Sequence, residues 1–264
     1  MQLLPIRYLL ASAAILLPMQ ASAQDLNDGE PRRVRVALGP QLVPSYPGSD
    51  DLVLRPLIDA SRTRGDAEFA FEAPDESFGF TLARSGNLTF GPSIGLEGKR
   101  KSSEVGGILP EVGLTVELGA FAQYALSDNL RLRAEARQGI GGHDGFISVL
   151  SADYIMRDGD RQLLSVGPRL TLTDSRYQDS YFGVRPEDAS FGLPAYDADG
   201  GLQSAGVAVG YIRQFTPRWG IYSYVKYDRL IADPADSPVV LQFGSRDQIA
   251  GGAALTYTFG SGVR

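Results

Sequence analysis

Along most of the chain, apolar positions recur at every second residue. In Leu88–Glu97 (LTFGPSIGLE), the positions Leu88, Phe90, Pro92, Ile94 and Leu96 are apolar, while Thr89, Gly91, Ser93, Gly95 and Glu97 are small or polar. A period of two places these sets on opposite faces of a strand. Residues 130–137 (LRLRAEAR) alternate more sharply: Leu130, Leu132, Ala134 and Ala136 make one face, and Arg131, Arg133, Glu135 and Arg137 make the other. Helical spacing would mix these sets around a cylinder, so the pattern predicts a strand despite the good helix propensities of Leu, Ala, Arg and Glu.

The alternation returns at 114–126, 146–156, 163–173, 203–215, 219–229 and 249–259, and more weakly at 34–43, 53–61, 67–73 and 78–84. These make about twelve segments, most close to the ~9 to 11 residues that a tilted strand needs to cross the hydrocarbon. Their connections alternate as well. Tight turns at 62–65, 84–87, 127–129, 157–160 and 216–218 interleave with mostly longer loops at 44–52, 99–112, 139–145, 174–202 and 231–248. Short turns on one rim and long loops on the other are the signature of a closed antiparallel transmembrane β-barrel, with the short side in the periplasm and the long loops outside. An even number of strands returns both termini to the periplasmic rim. Phe80, Tyr124, Tyr154, Tyr211, Trp219, Tyr227 and Tyr257 fall near segment ends, where interfacial aromatic girdles belong.

The N-terminus fits export to that location. Arg7 precedes a short apolar run, 8–18, which ends before Ala21-Ser22-Ala23, a small-residue cleavage triplet. The expected organisation is a signal peptide over 1–23 and a single outer-membrane barrel domain over 24–264. No later stretch approaches the ~20 apolar residues of a membrane helix. The chain has no cysteine, so neither a disulfide framework nor a lipidated cysteine holds it. Its formal net charge of −6 argues against a nucleic-acid partner. Lys99-Arg100-Lys101, its one basic cluster, reads as a solvated loop tip.

Charges facing lipid at mid-depth cost ~2 to 4 kcal/mol each for Arg, so the ionised face of 130–137 must point inward. Glu117, Asp153, Arg169, Lys226 and Asp228 are expected to join Arg131, Arg133, Glu135 and Arg137 in the lumen, either lining a narrow aqueous path or pairing as a plug. Occlusion suits a barrel of this size, since ~16 to 18 strands are typical of wide channels. His143-Asp144, between Gly142 and Gly145, has the residue types of an acid–base half-site. A glycine-bracketed turn explains the same residues, so no catalytic role is assigned. One histidine and no cysteine leave only carboxylates as metal ligands, and no metal or cofactor site is expected. Asp174, Asp179, Asp188, Asp197 and Asp199 enrich the loop 174–202, where they either hold divalent ions shared with lipopolysaccharide or keep the loop solvated.

The distal half carries more specific wording: Tyr181-Phe182-Gly183-Val184, Gly192 to Tyr196 (GLPAY), Gly200-Gly201-Leu202, and Asp233 to Val239 (DPADSPV) with Asp236, Ser237 and Pro238 at its centre. It closes on Leu255 to Phe259 (LTYTF). With Pro44 to Ser49 (PSYPGS) near the start, these blocks resemble the MipA/OmpV family of outer-membrane proteins, named for a scaffolding protein that interacts with a lytic transglycosylase. Five residues follow Phe259, whereas many barrels end on the aromatic itself. The resemblance implies a non-enzymatic barrel of a Gram-negative outer membrane in contact with lipid and lipopolysaccharide. It also implies scaffolding between a murein hydrolase and synthase in some members and surface adhesion in others. Apart from the resemblance, a small outer-membrane channel or solute-uptake barrel is the alternative reading. It provides no catalytic residues to transfer.

Overall fold

The computed structural model describes residues 30–190 and 192–260. The signal segment expected over 1–23 and the mature N-terminus expected at Gln24 lie outside those residues.

Twelve antiparallel strands form one curled sheet. They are β1 (Arg32–Pro44), β2 (Leu52–Arg64), β3 (Phe78–Gly79), β4 (Ala83–Ser85), β5 (Leu88–Glu97), β6 (Thr115–Ser127), β7 (Leu130–Gly141), β8 (Phe146–Asp158), β9 (Gln162–Thr173), β10 (Gly201–Gln214), β11 (Trp219–Leu230) and β12 (Asp247–Phe259). Successive strands from β5 to β12 pair as meander neighbours, and β12 pairs back onto β1, with Val34 opposite Phe259 and Leu38 opposite Leu255. β1 then pairs with β2 along its whole length. The ladder ends are β2 on one side and the short β3 and β4, both on β5, on the other. Among the described residues no ladder pairing crosses from β2 to β3 or β4, which leaves a seam in the wall.

The alternating faces sort as a membrane barrel requires. On β7 the leucines and alanines are outward and Arg131, Arg133 and Glu135 are buried. Large apolar side chains cover the outside, with Leu54 72% exposed and Leu96 69% exposed. In water that surface would be an aggregation hazard; in hydrocarbon it is the stabilising face. Trp219, Tyr257 and Phe259 stack edge-to-face on one another at the short-turn rim, with ring centroids 4.7 and 4.6 Å apart. Three of the tight turns rest on glycines at positive φ, Gly65 (55°), Gly86 (57°) and Gly159 (53°), a conformation in which a Cβ is strained.

Residues 67–73, expected as a strand, do not join the sheet. Their alternation is real but faces the barrel interior: Phe69 and Ala73 are 2% and 6% exposed. Pro74 and the adjacent Asp75-Glu76 explain why. A proline lacks the ladder donor, and two successive carboxylates would put one on the lipid face. The segment 66–77 leaves the short-turn rim after β2, climbs the lumen, and rejoins the wall at β3.

Candidate functional site

The lumen holds one chain of ion pairs. His143 Nε2 lies 3.1 Å from Glu117 Oε1, and Glu117 Oε2 accepts from Arg137 Nε at 2.8 Å. Arg137 also pairs with Glu135, which accepts from Arg133 at 2.7 Å. Arg133 and Arg131 share Glu76, and Arg131 meets Asp153 at 2.6 Å. Asp153 joins Arg169 at 2.8 Å; Arg169 grips Asp75 at 2.8 Å; Asp75 contacts Lys226 at 3.3 Å; and Lys226 ends on Asp228 at 3.0 Å. All nine charged positions singled out in the sequence thus face inward and meet. Alternating strand geometry delivers them to one surface, and each charge finds at least one opposite charge there, which offsets the cost of taking it out of water.

Two links of this chain, Asp75 and Glu76, come from the lumen segment, as do several further anchors that sequence reasoning missed. The segment touches β1, β7, β9, β10 and β11, so it must lie inside the curl. Arg33 and Arg35 sit over the Phe69 ring at 5.2 and 4.5 Å, and Arg131 over Phe71 at 4.4 Å, within cation–π range. Phe69 N–H donates to Asp160 Oδ1 at 3.0 Å, its carbonyl accepts from Arg157 at 2.7 Å, and Ser77 Oγ accepts from Arg137 at 3.1 Å. Pro74 packs against Gly210, where an added Cβ would lie 3.3 Å from its ring. The signal that could have set the segment apart from the wall is Pro74 beside the paired acids Asp75 and Glu76. Two small cavities flank the segment: one of ≈ 30 Å³ beside Arg35, Asp59, Glu72 and Tyr222, and one of ≈ 20 Å³ between Asp75, Glu76 and the arginines. Each has room for one or two waters.

The long loops close the opposite rim over a hydrophobic core. The loop 174–200 carries α1 (Ser175–Phe182), and the loop 231–246 carries α2 (Asp233–Asp236) and α3 (Pro238–Phe243). Tyr46, Val105, Leu109, Tyr177, Tyr181, Phe182, Val184, Leu193, Val239 and Val240 pack together there. The blocks that carry the family resemblance meet at this point. Ser237 Oγ donates to the Phe182 carbonyl at 2.6 Å and accepts from Val239 N at 3.2 Å, capping α3 with Pro238 in its first turn. Gly183 caps α1, and Asp236 pairs with Arg246 at 3.0 Å on the surface. Gly48 has φ 98°, and a Cβ there would press on Phe182 and Val240 at 3.0 and 3.1 Å. Arg100, read as part of a solvated tip, is instead buried: its guanidinium donates to the carbonyls of Tyr181 and Pro110, both at 3.0 Å. Burial pushes the Tyr46 hydroxyl up to about 12 and raises Tyr177 and Tyr181 as well.

Two of the acidic loop residues are structural acceptors. Asp174 caps α1 by accepting from Tyr177 N at 3.0 Å and Phe146 N at 2.9 Å, and Asp179 accepts from Ala198 N at 3.2 Å. Among the described residues no three His, Asp or Glu side chains converge as a metal site would require. His143 is 3% exposed, with Tyr177 edge-on at 4.6 Å. Its Nδ1 accepts from Gly145 N at 3.1 Å, so the hydrogen sits on Nε2 and donates to Glu117. Asp144 closes the turn by accepting from Gly141 N at 2.9 Å. Both ring nitrogens are occupied, and no hydroxyl among the described residues bonds to the ring.

A curled antiparallel sheet with an apolar outside, aromatic rim, paired charges inside and one rim of tight turns defines an outer-membrane β-barrel. The model of the family described as MltA-interacting protein MipA matches residues 36–259, and the chain belongs to that family. Among characterised relatives, outer membrane protein OmpV of Vibrio cholerae is 29% identical over 145 residues, covering 55% of this chain and 54% of that protein. Outer membrane protein Omp26La of Vibrio anguillarum is 27% identical over 146 residues, with the same coverage. The chain therefore spans about half the length of the curated relatives it matches. A solved outer-membrane channel from Pseudomonas putida F1 aligns over 92% of this chain and 100% of its own, at 12% identity and a TM-score of 0.34.

Proposed function

We propose that this barrel is a non-enzymatic, non-conducting interaction protein of the cell envelope, a scaffold whose periplasmic rim engages murein-processing enzymes. The occupied lumen carries the reading. A segment of the chain's own backbone runs through it, the cavities beside that segment are ≈ 30 and ≈ 20 Å³, and the outer mouth lies beneath a packed apolar core. Such a barrel offers solutes no open path, so what it presents to the cell is its surfaces. The family description supports an enzyme of murein turnover as the partner class.

The short-turn rim suits such a partner. Arg32, Arg84 and Arg218 are exposed there beside Asp128 and the Arg161–Asp158 pair, while more aspartates crowd the opposite rim. A basic periplasmic rim attracts acidic protein surfaces and the carboxylates of murein peptides. Affinity capture of the full-length protein from detergent-solubilised envelopes is expected to retain a murein hydrolase, and replacing Arg84, Arg161 and Arg218 by Glu is expected to release it. Repeated capture without any murein enzyme, from barrels that remain heat-modifiable, would sink the scaffold role.

A further inference from the structure

The lumen segment occupies its place as a ligand would. Among the described residues its backbone joins the wall by no ladder pairing, and side chains anchor it throughout. Its two carboxylates fall where the wall carries surplus positive charge. Arg131 and Arg169 share the single carboxylate of Asp153, at 2.6 and 2.8 Å. Without Asp75 and Glu76, these two guanidiniums would be buried with one counter-charge between them, flanked by Arg133 and Lys226, which each keep only one wall carboxylate. Asp75 fills one side of this site through Arg169 Nε, Arg169 Nη2 and Lys226 Nζ, a fork geometry that guanidinium offers to any carboxylate. Glu76 fills the other side through Arg131 and Arg133. The ≈ 20 Å³ cavity lies between these acids and the arginines.

We infer that Arg131, Arg169, Arg133 and Lys226 form a dicarboxylate-binding site in an anion-selective path, held shut by Asp75 and Glu76 acting as a built-in substitute ligand. The seam between β2 and β3/β4 is where the segment enters the wall, so its displacement breaks no ladder bond along that edge. Anchors at both ends keep it seated: Phe69 beneath Arg33 and Arg35, and Ser77 on Arg137. The inference rests on the occluded-lumen reading above and goes beyond it, because it assigns a ligand class to the surface that the segment covers.

The test uses the full chain in planar bilayers under a KCl gradient, with heat-modifiable migration as the check on folding. Replacing residues 69–76 by a Gly/Ser run of equal length preserves reach and removes the anchors. The expected result is steady conductance, a reversal potential displaced toward the chloride equilibrium value, block by succinate, and loss of that preference on adding Arg169→Gln. A folded variant that stays silent, or that conducts without preferring anions, overturns the inference. Should that variant not fold, the pair Asp75→Asn with Glu76→Gln serves: succinate is expected to raise its unfolding temperature while leaving wild type unmoved, and no shift in the variant overturns the inference. Conductance from wild type itself would instead remove the occluded-lumen reading.

Discussion

Arg169→Met removes the centre of the lumen network. The guanidinium reaches both Asp75 oxygens at 2.8 to 3.0 Å, Asp153 at 2.8 Å and the Pro168 carbonyl at 3.0 Å, and its side chain is 2% exposed. Methionine fills similar volume, so packing changes little while two buried carboxylates each lose a partner. Asp153 keeps Arg131, and Asp75 keeps Lys226 at 3.3 Å. Breaking a buried pair by removing one member costs about 3 to 5 kcal/mol, because the survivor is left short of counter-charge. Urea unfolding of the micelle-refolded barrel, followed by loss of the heat-modifiable band, measures this directly. Adding Asp75→Leu to Arg169→Met is expected to recover part of the loss, since it removes the stranded charge. A cost below about 1 kcal/mol for Arg169→Met, the level of an exposed pair, would refute the reasoning: the lumen would then be hydrated and the segment only loosely seated.

Three further outcomes follow from other surfaces. Leu150→Arg places a charge on the outward, lipid-facing side of β8, and a loss of about 2 to 4 kcal/mol in barrel stability is expected; refolding equilibria in lipid vesicles check this. Ser237→Ala deletes the bond to the Phe182 carbonyl and the cap on α3, and an expected loss of about 1 to 2 kcal/mol should appear as faster protease nicking of the outer loops. Because burial raises Tyr46 from 10.0 to about 12, its contribution to the closed cap is complete below pH 10 and is lost as pH climbs through 12. Tyrosinate absorbance is therefore expected to show a late-titrating group that Tyr46→Phe removes.

The wall was legible because lipid and lumen impose opposite demands on alternate residues. β7 displays this fully, with Arg131 to Arg137 inward and Leu132 and Ala134 outward. Strand limits from β5 to β12 agree with the alternation to within a few residues, since short turns such as 127–129, 159–161 and 215–218 end the segments sharply. The lumen segment was not legible as such, because period two reports only that one face is buried. Phe69 and Ala73 satisfy that condition inside the barrel as well as they would in its wall. Candidate charges such as Arg169 and Lys226 could be assigned inward one by one, but their shared partner Asp75 comes from a segment far away in sequence. The cap posed a similar problem. Ser237 and Phe182, or Arg100 and Tyr181, are brought together by loop packing that no periodic pattern encodes.

The lumen segment's position can be fixed chemically, because the chain has no cysteine to interfere. Pro74→Cys and Gly210→Cys place two thiols where the Pro74 ring now lies 3.3 Å from the Cβ position of residue 210. Treating intact outer membranes with a short bifunctional thiol reagent should link the two within one chain and produce a barrel whose migration is altered after heating. Two thiols that label fully yet never cross-link, in a barrel that remains heat-modifiable, would show that residues 66–77 lie elsewhere and that the lumen is open.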